Sequence, residues 1–484
     1  MIDNIFLAGW SSIDITPLKK VSLQGQYHER ISEFVHDNIY ATALAIELKS
    51  PDGKSLEQAV MISCDLIGIE KVLLDKLREK LDKKIKDLDL KKIIAFATHT
   101  HTAPCLTDDR FNRGNWKKWR ELDKETYMHP KEYLEFLVEK LVRVVIEAWN
   151  NREPSKVSTG LGYAVAGHCR RTVFDDRAVM YASPDTANFV GLEGPSDHGV
   201  ELMYFWNMSG KLTGVIVNVA CPAQVVEGMT VISADYFGAA RRKIKESISE
   251  DIYVLPQISS AGDQSPRDLI RRGKSENNMT DNFDGMEELG SRVADAVVNG
   301  YKSASKNVQN VSIFKHSVEE VYLPIRKVTL GEVEYAQKNY DVLIKKYGQE
   351  ENIQGEDLVR LVDYKAILAR KKLQEVASFY KIELHAIRIG EVAFVTNPFE
   401  LYLEYGLRIK ARSKAKQTFV IQLCCGSGGY IPTRQSVLGG SYGANVSNGT
   451  VGPEGGNLLV EHSVVAVNRF WGDKGYIDER RFER

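Results

Sequence analysis

Apolar residues in this chain come in short, dense runs broken by glycine, proline and aspartate, with longer amphipathic stretches between them. Tyr40–Leu48, Gln58–Gly68, Lys92–Ala97, Leu212–Ala220 and Asp251–Ser259 carry apolar side chains at most positions. Runs of that length belong to strands buried on both faces. Pro51-Asp-Gly53 between the first two predicts a hairpin. Trp10–Pro17, Lys156–Ala166, Glu201–Trp206, Val308–Tyr322, Lys381–Ile389, Glu391–Thr396 and Thr418–Cys424 read as further strands. The spacing shifts to about 3.6 residues in Lys71–Leu88, Pro130–Trp149, Met286–Tyr301, Leu401–Ser413 and Asn457–Phe470, which predicts helices with one buried face. Ile232–Gly238 opens another that runs to about Ser249. Residues 329–380 are helical and highly charged, and read as a helical hairpin inserted at the surface. Strands and helices interleave along the whole length. This predicts an α/β fold, with mixed central sheets flanked by helices in layers, and one domain over residues 1–484.

Composition narrows the function classes. A formal net charge of −1 gives no broad electrostatic pull toward nucleic acid. No uninterrupted apolar run is long enough to span a bilayer, so stable membrane insertion is not expected. Met1–Gly9 lacks the basic start and apolar stretch of a secretory signal, and a cytoplasmic location is the expectation if Met1 is the native start. Six cysteines in 484 residues, none in a C-x-x-C, do not make a disulfide framework. The chemistry that remains is that of an enzyme acting on a small-molecule substrate.

The strongest chemical signal is Ala97-Thr-His99-Thr-His101-Thr-Ala-Pro104, where a buried strand gives way to a loop. On an extended chain, side chains at i and i+2 face the same way, so both imidazoles would enter one pocket. Other strands end similarly, in a polar residue beside glycine or proline: Arg170, Cys221, Asp263 with Ser265, Glu400 and Tyr430. Converging, these ends would supply imidazole, thiolate and carboxylate, the usual donors to Zn²⁺. Trp116, Trp119 and Tyr127 beside the site could form a sugar platform or pack internally.

In order along the chain, these motifs resemble the neutral/alkaline, non-lysosomal ceramidases. Ser12-Ile-Asp14-Ile-Thr-Pro17 is similar to the family's D-I-T-G-P. Ala97–Pro104 is similar to its A-T-H-T-H-S-G-P, Ala261-Gly-Asp263-Gln-Ser265-Pro266 to its A-G-D-x-S-P-N, and Tyr430-Ile-Pro-Thr433 to its Y-V-T-T. The resemblance implies a zinc-dependent amidohydrolase acting on a linear amide of a lipid or sugar derivative. It implies His99, Glu400 and Tyr430 as zinc ligands, with His101, Arg170 (or Arg171), Tyr442 and Ser265 around the substrate. The family's second histidine ligand falls on Cys221, either as a thiolate replacement or as a buried thiol in a site that has lost or moved its metal. The family's further C-terminal β-sandwich is not expected here. A metal-dependent lyase or glycosidase, and a non-catalytic binder on the same scaffold, are the competing readings.

Overall fold

The structure is a computed structural model that describes residues 4–107, 122–123, 125–271, 279–475 and 477. Two sheets stack face to face. The larger has eight strands in the order Tyr253–Ile258, Leu212–Val219, Gly199–Asn207, Glu153–Tyr163, Ile5–Asp14, Tyr40–Lys49, Ser55–Cys64 and Ile93–Ala97. The smaller has four: Phe314–Pro324, Phe379–Ile389, Val392–Thr396 and Gln417–Ile421. The predicted mixed α/β class and its layering are both present.

Alternation along single strands explains the layers. In Tyr40–Lys49, Leu44, Ile46 and Leu48 enter the core between the sheets, and Ala41, Ala43 and Ala45 face the helical layer. In Ile93–Ala97, Ile94 and Phe96 point to the first core, and Ile93, Ala95 and Ala97 to the second. Both faces are therefore covered, which is why these strands lack the polar alternation of a half-exposed sheet. The helices Lys71–Asp82 and Pro130–Asn150 cover one half of the large sheet, and Tyr236–Ser247 with Phe283–Ala304 cover the other. Leu403–Arg412 and Pro453–Asn468 cover the outside of the smaller sheet.

Three parallel strand pairs set the place of the site. Ser55–Cys64 runs parallel to Ile93–Ala97, Leu212–Val219 to Tyr253–Ile258, and Val392–Thr396 to Gln417–Ile421. Their carboxyl ends are tied together. The Ala223 N–H donates to Thr98 O (3.3 Å), Gln422 N–H to Ile258 O (3.1 Å), and Cys425 N–H to Ala95 O (2.9 Å). Chain segments far apart in sequence are thereby delivered to one junction, the usual position of ligand sites in α/β sheets.

The 329–380 segment forms the expected pair of helices, Leu330–Tyr347 and Gly355–Val376, with a small core of Leu343, Ile353, Leu358 and Leu361. Thr329 and Glu332 cap the first helix reciprocally. It does more than decorate the surface. Asp363 accepts a hydrogen bond from Ser447 (2.9 Å), and Arg370 donates to the carbonyls of Arg326 and Thr450 (both 2.8 Å), so the second helix is bolted to the loop beyond Tyr442. Strand boundaries differ from the sequence reading by a few residues; Lys156–Ala166, for example, becomes Glu153–Tyr163. The short strands between His168 and Leu192 were not legible, because two to four residues carry no period.

Candidate active site

The strand of the histidine motif stops at Ala97, and His99 has φ +62°, a left-handed conformation uncommon for a residue other than glycine. The i, i+2 rule of an extended chain thus does not place the two imidazoles. A turn does, and their ring centroids lie 4.9 Å apart at 79°. Thr100 and Thr102 hold the turn by donating to the Ser233 carbonyl (2.8 and 3.0 Å), and Arg30 donates to the carbonyl of His101 (2.6 Å). Gly25 sits against the His101 ring with φ +120°; a Cβ there would stand 2.6 Å from the ring. Only glycine allows that approach.

Hydrogen bonding fixes the protons on both rings. His99 Nδ1 lies 2.6 Å from the carbonyl of Ile67, which can only accept, so Nδ1 carries the proton and Nε2 of the neutral ring carries a lone pair. That lone pair faces Oε2 of Glu400 at 3.5 Å and Nε2 of His101 at 3.4 Å. Gln224 Nε2 donates to His101 Nε2 (2.7 Å), and His101 Nδ1 faces Glu227 Oε2 at 3.4 Å. His99 Nε2 is thus the ring atom turned to both Glu400 and His101, while the lone pair of His101 Nε2 is taken by Gln224. Burial opposes ionisation of Glu400, but hydrogen bonds with His99 and Tyr430 and the charge of Arg170 hold it below the usual carboxylate range.

Glu400 and Tyr430 are partners in a two-stranded parallel ladder. The Tyr430 hydroxyl lies 3.1 Å from Arg170 Nη2, which also donates to Gly262 O (2.8 Å). Burial, with the neighbouring Glu400 charge, raises the Tyr430 phenol well above its ordinary value. The Tyr442 ring stands 5.4 Å from that of Tyr430 and 6.1 Å from that of Tyr27. Arg170 is the arginine that meets these phenols. Arg171 instead pairs with buried Glu193 and donates to Gly440 O (2.7 Å). Glu400, Tyr430, Tyr442 and Tyr27 line a cleft of about 410 Å³, and Asp363 and Arg370 from the inserted helices form its far wall.

Two predicted residues stand apart. Cys221 is fully buried in the apolar cluster between sheet and helices, among Val219, Ala223 and Phe237. Its Sγ is 3.5 Å from the Pro222 carbonyl, and burial pushes the thiol well above its ordinary value. Ser265 pairs with His168 in a short ladder, and its Oγ accepts the Arg267 N–H (3.2 Å) in a turn. Asp263 ties strands together: Oδ1 accepts the Leu403 N–H (2.8 Å) and its carbonyl accepts the Arg170 N–H (3.0 Å). Trp116 and Trp119 lie outside the described residues. Tyr127 is buried, with its hydroxyl 2.7 Å from Ser22 Oγ, and offers no open platform.

The donor set suits a divalent cation. Ligand bonds of about 2 Å put neighbouring donors of a tetrahedral ion about 3.3 Å apart, close to the 3.5 Å between His99 Nε2 and Glu400 Oε2. The Ile67 carbonyl plays the orienting part usual behind a ligating histidine. Among the described residues, one group of three His, Cys, Asp or Glu has all its ligand atoms within 4.8 Å of one another: Glu383, His385 and Cys425.

Comparison with solved structures agrees on architecture. The chain shares its fold with neutral ceramidase. The neutral ceramidase from Pseudomonas aeruginosa superposes with a TM-score of 0.69 at 18% identity, over 97% of this chain and 75% of that one. A structure titled "Ceramidase complexed with C2" gives 0.67 at 16%, over 98% and 77%. A family model described as "Putative serine esterase (DUF676)" matches residues 244–341, about a fifth of the chain. That stretch has no Gly-x-Ser-x-Gly, the strained turn that exposes the nucleophile of α/β-hydrolases. No curated protein sequence matches. Among the described residues no helix is long and apolar enough to cross a membrane.

Proposed function

We propose that this protein is a metal-dependent hydrolase that cleaves a linear amide. The observation that carries the reading is the approach of His99 Nε2 and Glu400 Oε2 to 3.5 Å in a buried place, with Tyr430 paired to Glu400 in the ladder and Arg170 beside the phenol. Burying such a pair without a cation is costly. Both comparisons point to hydrolysis of an acyl bond, and the ceramidase likeness covers nearly the whole chain.

In this reading His99, Glu400 and Tyr430 would hold Zn²⁺. Zn²⁺ when bound lowers the pKa of water to about 7 and polarises a carbonyl. Tyr442 and Arg170 bind the substrate oxygen and donate to it as negative charge develops, the interaction on which acyl transfer most depends. His101, held between Gln224 and Glu227, carries the proton that the leaving amine takes. Cys221 has no part in the chemistry, and Ser265 shapes the turn that carries Arg170. The cleft wall is polar, with Asp363 and Arg370 facing it, so we assign a small amide with a hydroxylated or charged head rather than one defined by two long hydrocarbon chains. Burial of Tyr127 takes one of the three aromatics away from the sugar platform that a carbohydrate lyase or glycosidase would use.

The test is a panel of N-acyl amides of amino alcohols, amino sugars and amino acids, assayed for released amine with wild type and Glu400→Gln. Release by the wild type, lost in the variant, is expected. Formation of an unsaturated or reducing sugar end without amine would overturn the reading.

A further inference from the structure

At the edge of the smaller sheet, Cys424 and Cys425 follow the Gln417–Ile421 strand. Their Sγ atoms are 3.6 Å apart, and Cys425 has φ +59°. The Cys425 thiol lies 3.9 Å from His385 Nε2, which is 2.8 Å from Glu383 Oε1. The protonation of His385 follows from geometry. His316 Nδ1 lies 3.0 Å from the Gln58 carbonyl, so it carries a proton, and its Nε2 is an acceptor when the ring is neutral. His385 Nδ1, 2.9 Å from that Nε2, must then donate. His385 Nε2 faces a carboxylate and donates as well. His385 is therefore an imidazolium.

Charge balance identifies its counterpart. Arg78 binds both oxygens of Glu383 (2.6 and 3.0 Å). The guanidinium neutralises the carboxylate, and the imidazolium is left to a thiolate. We propose that Cys425 is a reactive thiolate oxidised by hydroperoxides, with Cys424 as its resolving thiol. The contacts of Cys424 and His385, against burial, pull the Cys425 thiol down to about 5, and Cys424 is held well above its ordinary value by burial. One thiol is thus the nucleophile and the other the proton-bearing partner, the division expected of such a pair. Cys425 is half-buried, and Glu383 beside it is partly exposed, so a small peroxide has access.

The steps balance. Cys425 Sγ attacks one peroxide oxygen, the O–O bond breaks, and sulfur loses two electrons to become a sulfenic acid. The departing alkoxide or hydroxide takes a proton and leaves as alcohol or water. Cys424 Sγ then attacks the Cys425 sulfur, the S–O bond breaks, and the hydroxide leaves as water with the Cys424 proton. Consecutive Cα atoms, about 3.8 Å apart, lie below the span usual for a disulfide, so the bond formed is readily reduced by a dithiol. A metal centre is the weaker reading of the same residues, because both nitrogens of His385 are committed to hydrogen bonds and a guanidinium stands beside them. Cys424 N–H donates to Asn397 O (3.0 Å) and Cys425 N–H to Ala95 O (2.9 Å). Along the chain these two strand ends lead on to Glu400 and His99.

The experiment treats fully reduced whole protein with hydrogen peroxide and follows intact mass and peptide maps. Loss of two hydrogens localised to Cys424–Cys425 and reversed by dithiothreitol is expected. Cys424→Ser should trap dimedone at Cys425, and Cys425→Ser should do neither. Iodoacetamide labelling of Cys425 at pH 6 should slow about tenfold in His385→Gln, as the imidazolium partner is lost. Oxidation confined to other thiols, or a stoichiometric metal in wild type that disappears in Cys425→Ser, would overturn the proposal.

Discussion

Nε2 of His99 lies 3.5 Å from Oε2 of Glu400, while its other ring nitrogen is committed to the carbonyl of Ile67. With Nδ1 committed to Ile67, Nε2 is the atom that His99 turns to Glu400, and a shared cation would bridge the two. Replacing Glu400 by glutamine keeps the shape and removes the charge. Glu400→Gln is expected to fold, to lower metal affinity at least about tenfold, and to abolish amine release. Metal titration by calorimetry and far-UV circular dichroism check this; unchanged affinity would remove Glu400 from the ligand set.

Cys221 gives the opposite expectation. Its thiol is buried in the apolar cluster between sheet and helices. Cys221→Ala should retain its metal and lose about 1 kcal/mol of stability, the usual cost of a small cavity. Elemental analysis and thermal denaturation decide between the two roles, and loss of metal from this variant would restore Cys221 as a ligand.

Gln224 and Glu227 hold the two sides of the His101 ring. Gln224→Leu should reduce kcat roughly 10- to 100-fold, the range found when partners that orient a site histidine are removed, with KM little changed. Gly25→Ala should act on the same ring by forcing it aside. An effect on KM alone would assign these residues to substrate binding.

Glu383 provides a pH test of stability independent of catalysis. Burial would raise its pKa, but hydrogen bonds from His385 and Arg78 outweigh it and hold the carboxylate at about 2, against an ordinary 4.5. The folded-state pKa is depressed, so the stabilisation is complete above 4.5 and is lost as pH falls through 2. The difference in Tm between wild type and Glu383→Gln should therefore shrink steadily over that window. A constant difference would mean that Glu383 is not charged in the folded protein.

The sequence carried the fold well where strands were buried on both faces, because dense apolar runs admit few other readings. His99, Glu400 and Tyr430 were recognisable because each follows a strand at a glycine or proline. The reason given for pairing the histidines was wrong in detail: a left-handed residue, not an extended chain, brings the rings together. Sequence position alone does not tell which side of a sheet edge the Cys221 thiol faces, and the structure puts it in an apolar cluster. Gln224, Glu227 and Tyr27 were missed, since amide, acid and phenol in a loop look like ordinary surface residues until their burial is known. The only available signal was two polar residues inside the apolar stretch Ala223–Val226 and its end.

The most direct test is elemental analysis of the purified protein beside His99→Ala and Cys425→Ser. The account predicts one zinc per chain in wild type and in Cys425→Ser, and loss of it in His99→Ala. Zinc retained by His99→Ala, or a wild type that binds none after incubation with the metal, would contradict it.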